Sequence, residues 1–135
     1  MRTVTQCYTA AGVPQEPNGS GVFTLANNTT YYFELSEVAD RSGLSVHLIY
    51  GSTLTAAVTS EGSNEDGSVT SYNDGAAGEW ASTAQAVRNL AASAGGAMDH
   101  HADWMAARMR YKVVVGATGG GTLKLREHGK VRSYP

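Results

Sequence analysis

The side chains best suited to hold a metal or move a proton are concentrated in Asp99-His100-His101-Ala102-Asp103. In an extended segment Asp99, His101 and Asp103 share one face. On a helix Asp99 and Asp103 share one instead, because a strand repeats every two residues and a helix every 3.6. Neither arrangement makes a full ligand set. No cysteine or second histidine motif stands at a recognised zinc spacing. The cluster is therefore expected to be a polar loop or a subunit contact. Asp99, His101 and Asp103 are the weak metal candidates, and neither a metal nor a cofactor is expected.

Other chemical patterns fail on their own requirements. The acidic stretch Glu61-Gly62-Ser63-Asn64-Glu65-Asp66-Gly67-Ser68 aligns with a calcium loop at Asn64, Asp66 and Gly67. The first and last positions would then be Gly62 and Asn73, where carboxylates are needed. Gly116-Ala117-Thr118-Gly119-Gly120-Gly121 is glycine-rich. A phosphate loop, however, needs Gly-Lys-Ser/Thr entering a helix, and here Thr122-Leu123-Lys124-Leu125 enters a strand. His47 and His128 are available as general bases, but no serine sits in a nucleophile elbow and no carboxylate pair is set by spacing. The chain is not expected to be an enzyme.

Charge is unevenly placed. The 135 residues carry a net charge of −2. Residues 1–107 hold three arginines against eleven acids, a balance of −8, and residues 108–135 hold seven bases against Glu127, a balance of +6. The basic residues Arg108, Arg110, Lys112, Lys124, Arg126, Lys130 and Arg132 are expected to line a solvated interface. With a pI near 6.0 and acidic segments elsewhere, their expected partner is an acidic protein surface or an acidic part of a neighbouring subunit, not nucleic acid.

The elements that position these residues read as short strands between Gly, Asn, Asp and Ser turns. Ser20–Leu25, Thr30–Leu35, Leu44–Tyr50 and Ser52–Ser60 are predicted strands, with a turn at Asn27-Asn28 and a returning strand at Ser68–Tyr72. Arg108–Val115 sets Met109, Tyr111, Val113 and Val115 on one face, and Arg108, Arg110 and Lys112 on the other. Thr122–His128 sets Leu123 and Leu125 against Lys124, Arg126 and His128. Matched alternation around a glycine loop predicts that these two strands pair as a hairpin. The Ala-rich stretch from Trp80 leaves room for a short helical insertion around 80–107, though an irregular strand and loop fits its neighbours better. The predicted fold is all-β, a mainly antiparallel β-sandwich or jelly-roll-like domain over 20–135, preceded by an arm at 1–19.

The large aliphatics and phenylalanines number 23, about 17 % of the chain, which is low for a globular domain. A thin core follows, and oligomerisation would supply some of the missing burial. The single cysteine, Cys7, makes no internal disulfide, which suits folding in a reducing cytoplasm. There is no apolar run of about 18 residues, so no membrane partner is expected, and the opening residues lack an apolar run of signal-peptide type.

The short polar arm, the strand Thr30-Tyr31-Tyr32-Phe33-Glu34-Leu35, the Thr/Ser/Ala-rich strands and the closing Arg110–Val115 and Gly121–Arg126 segments resemble small all-β structural proteins of tailed-bacteriophage particles, of the head decoration or cement type. The resemblance implies a virion protein on the capsid surface, made in the host cytoplasm. It would bind the major capsid protein lattice as a homo-oligomer, dimer or trimer, and stabilise the head. Two alternatives stay open. One is a tail, fibre or head–tail connector subunit. The other is a carbohydrate- or host-binding sandwich, whose sugar platform would draw on Tyr31, Tyr72, Trp80 and Trp104.

Overall fold

The computed structural model describes residues 2–3, 6–35, 38, 41–65, 70–72, 78–82, 88–90, 95–102 and 107–131. Among them run twelve strands: β1 (Arg2–Thr3), β2 (Gln6–Thr9), β3 (Pro14–Gln15), β4 (Phe23–Leu25), β5 (Thr30–Leu35), β6 (Arg41–Tyr50), β7 (Ala56–Ser63), β8 (Ala81–Ser82), β9 (Arg88–Leu90), β10 (Gly95–Ala102), β11 (Arg108–Val115) and β12 (Gly121–Val131). They form two antiparallel sheets packed as a β-sandwich. In sheet I, β10, β6 and β12 lie side by side, and β1 and β4 share the far edge of β12. In sheet II the order is β3-β2-β5-β11-β7, with β8 and β9 sharing the far edge of β7. No α-helix occurs among the described residues. Within 80–107 these are strands and bends, whereas 83–87, 91–94 and 103–106 lie outside the description.

Alternation sets the inner faces. In β6, Leu44, Val46 and Leu48 are buried while Ile49 is exposed; in β11, Met109, Tyr111, Val113 and Val115 are buried. Leu123 and Leu125 of β12 close the core from the opposite sheet, and Phe23 meets Phe33 edge-on at 5.2 Å between ring centroids. Each such large side chain contributes about 1.5–3 kcal/mol when fully buried. The core draws on Tyr31, Tyr111 and Cys7 as well as aliphatics, which is how a chain poor in Leu and Ile fills a sandwich.

The predicted closing hairpin does not form. Strand β11 pairs with β5 and β7 in sheet II, whereas β12 pairs with β6, β4 and β1 in sheet I. Both apolar faces are those the alternation predicts, but they face each other across the core instead of lying side by side. The reason lies in the glycine loop. Gly116 N donates to the Thr55 carbonyl at 3.0 Å, Thr55 N donates to the Gly119 carbonyl at 2.9 Å, and Asn28 N donates to the Gly116 carbonyl at 2.9 Å. Gly120 N donates to Asn27 Oδ1 at 2.7 Å. Three sheet-crossing connections, β4–β5, β6–β7 and β11–β12, therefore interlock at one end of the sandwich. A side chain at Gly119 would collide with the Thr55 carbonyl, and one at Gly121 would come within 2.8 Å of Leu54 N. Asn28 takes φ 53° in the β4–β5 turn, a conformation asparagine tolerates.

The 1–19 segment, read as an arm, pairs within its own chain. β1 extends sheet I, β2 adds to β5 in sheet II, and β3 adds to β2. Cys7 is buried in the core. The predicted strand at Ser68–Tyr72 is also absent from the described part: residues 70–72 run as coil and bend, and 68–69 lie outside the description.

Candidate functional site

The basic residues expected on one solvated face are divided between the two outer surfaces of the sandwich. On sheet II, the register sets Glu34 of β5 and Glu61 of β7 on either side of Arg110. Arg110 is completely buried, which corrects its expected place in solvent. Its Nε donates to Glu61 Oε1 at 2.8 Å. Its guanidinium lies 4.3 Å from the ring centroids of both Tyr32 and Trp80. Trp80 is held over it by its indole N–H, which donates to the Thr70 carbonyl at 3.0 Å. Arg108 grips Glu34 with two bonds, Nη2 to Oε1 at 2.5 Å and Nε to Oε2 at 3.2 Å. Lys112 Nζ lies 5.8 Å from the Tyr32 ring centroid. A delocalised cation between aromatic faces gains quadrupole attraction once water is excluded. This half of the basic set is thus engaged inside the molecule.

Sheet I presents Lys124 and Arg126 outward. Directly paired residues share a face, so the register sets Lys124, Ile49 and Gly96 in one row across β12, β6 and β10. The next rows are Arg126, His47 and Met98, then His128, Ser45 and His100. None of these nine positions is acidic. Among the described residues, neither Lys124 nor Arg126 makes an ion pair. Met98 is 45 % and Ile49 37 % exposed, two of the four large hydrophobics exposed among the described residues. They sit diagonally on neighbouring strands. Lys130 continues β12 opposite Gly43, and Arg132 lies outside the described residues.

The Asp-His cluster is in strand β10, so its extended reading holds for the described residues. Asp99 and His101 both turn inward and are buried; Asp103 lies outside the description. Tyr111, from the opposite sheet, donates its O–H to Asp99 Oδ2 at 3.1 Å and lies 3.0 Å from His101 Nε2. A phenol has one proton to give. With it directed at Asp99, His101 makes its contact by donating from a protonated Nε2. Burial pulls the His101 ring below the ordinary imidazole range; the Asp99 carboxylate opposes that and His100 reinforces it. The neutral ring, the phenol and the carboxylate form a chain tying sheet I to sheet II. Glu127 is also buried on the inner face of sheet I, in the row of Val46 and Asp99. Among the described residues, no three of His, Cys, Asp and Glu stand close enough together to hold a metal ion. Burial likewise pushes the Cys7 thiol far above its usual range, leaving it an unreactive core residue.

The roles of two residues in this layout are not legible in the sequence. Trp80 lay in a stretch without clear periodicity, and its role as a cover over Arg110 depends on a long-range approach. Tyr111 was placed correctly on the buried face, but its polar partner on the other sheet is set by tertiary packing. Of the rings named for a sugar platform, Tyr31 and Trp80 are buried and Tyr72 packs on Tyr8 at 5.3 Å; Trp104 lies outside the described residues.

No protein-family model matches the chain, and no curated protein matches it. Among solved structures, a mutant Xylanase10C from Cellvibrio japonicus in complex with xylopentaose superposes with a TM-score of 0.34 and 12 % sequence identity. The match covers 90 % of this chain and 24 % of that one, so the chain spans about a quarter of that protein. A superposition this loose assigns no function.

Proposed function

We propose that this β-sandwich is a non-enzymatic decoration subunit of the phage-capsid type, which binds the major capsid protein lattice and stabilises the head. The observation that carries the reading is the outer surface of sheet I. It is an exposed sheet face with basic and apolar residues and no acid in its three central rows. Asp99, His101 and Arg110 are instead buried and bonded within the fold. A flat face repeated over a lattice gains avidity without a deep pocket. The same reading makes the chain a homo-oligomer on the virion surface that needs no cofactor. The sugar-binding alternative loses support, because stacking platforms need exposed rings and two of the four candidates are buried.

The direct test is binding of the purified protein to expanded capsids. Saturable binding at a fixed number of copies per capsid, with electron microscopy placing a label on the head exterior, is the expected result. No binding to expanded heads, or a label confined to the tail, would overturn it.

A further inference from the structure

We infer that the outer face of sheet I takes an acidic protein surface, with Met98 and Ile49 as its apolar centre and Lys124 and Arg126 as its charged flank. This deepens the proposed function by naming the partner's chemistry, and rests on that reading only for the partner's identity.

The placement follows from register. Ile49 and Lys124 are paired across β6 and β12, as are His47 and Arg126, and Met98 stands opposite His47 from β10. Lys124 and Arg126 thus border exposed Ile49 from β12, and exposed Met98 lies on the far side of β6, beyond His47. Association interfaces commonly combine an apolar centre with a polar rim. A cationic rim lacking internal carboxylates favours a partner that supplies them. The contrast with sheet II is informative. There Arg108 and Arg110 have Glu34 and Glu61 as partners within the chain, so the molecule meets its own cations on one side and leaves Lys124 and Arg126 without ion pairs among the described residues on the other.

Two other occupants fit less well. A second copy joined through the same face would oppose two like-charged surfaces, and such juxtaposition is costly. Nucleic acid would find cations but no exposed aromatic ring of Phe, Tyr or Trp in these rows for bases to stack on.

The experiment measures binding of the full chain to three probes: expanded capsids, poly-L-glutamate, and a random-sequence DNA duplex. The wild type is compared with Lys124→Glu/Arg126→Glu and with Met98→Gln. Circular dichroism and thermal melts verify folding, which these exposed or half-exposed positions leave intact. The double reversal is expected to weaken poly-L-glutamate and capsid binding at least tenfold, and raised salt to weaken the wild type in parallel. Met98→Gln is expected to weaken capsid binding several-fold while sparing poly-L-glutamate, which offers no apolar counterpart. Capsid binding should also slow peroxide oxidation of Met98, with buried Met109 as the internal reference.

Capsid binding that survives the double reversal would overturn the inference while leaving the decoration reading standing. Absent capsid binding with poly-L-glutamate binding lost on reversal would do the opposite. Failure to bind poly-L-glutamate, tighter binding to DNA than to the acidic polymer, or self-association abolished by the reversal would each overturn the assignment.

Discussion

Arg110 shows how far one residue's meaning depends on register. In sequence it alternates with Arg108 and Lys112 as a solvated cation; in the fold it is buried between Tyr32 and Trp80 and bonded to Glu61. Breaking a buried ion pair from one side costs about 3–5 kcal/mol, because the partner's charge is left behind. Glu61 keeps some exposure, with 12 % of its side chain accessible, which places Arg110→Ala near the lower end, about 3 kcal/mol. Arg110→Lys is expected to lose much of the same stability, since an ammonium lacks the planar guanidinium that stacks on both rings. Urea unfolding checks both variants, and an Arg110→Ala loss below about 1 kcal/mol would show that the sandwiching rings matter little. The acid that engages this cation, Glu61, is visible in the chain, but nothing short of strand pairing shows that it faces Arg110.

At the scale of elements, alternation was legible and partnership was not. The Thr30–Leu35 strand has the predicted bounds, and the buried faces of β6, β11 and β12 are those the pattern assigns. A period of two reports which side of a strand is apolar. It does not distinguish a hairpin partner from a strand in the facing sheet, because both bury the same side. The β11–β12 loop settles that question through hydrogen bonds to the distant residues Asn27, Asn28 and Thr55, which no local signal encodes. For the site, the basic residues were identified, but their division between an engaged sheet II set and an outward sheet I set required the register. The first strands make the same point energetically. Polar composition and two prolines suggested an arm, yet β2 covers the edge of β5 and brings Cys7 into the core. Deleting residues 1–9 is therefore expected to lower the melting temperature and to promote aggregation through the uncovered β5 edge. Calorimetry with sedimentation velocity checks this; an unchanged melting temperature would mean that the segment adds nothing to the fold.

Across the whole molecule, the two sheets are joined by a polar tie as well as by apolar packing, and this gives stability a pH dependence. Asp99 and His101 belong to sheet I and Tyr111 to sheet II, all three buried. Burial lowers the His101 pKa in the folded chain, whereas an unfolded chain returns the ring to about 6.5. Between those two values the unfolded state binds the extra proton. The contribution of this site is therefore fully present above about pH 6.5 and declines as pH falls towards the folded value. One proton limits the slope to about 1.4 kcal/mol per pH unit. Asp99 and Glu127 are the buried acids that share this inner face with His101, so a non-titrating variant is needed to isolate the histidine. Denaturant unfolding of the wild type is expected to show falling stability from pH 7.5 to 5.5. His101→Gln, which retains an N–H donor but does not titrate, is expected to be flatter over that interval. Parallel curves for the two proteins would place the pH sensitivity elsewhere and leave the cross-sheet chain a purely geometric link.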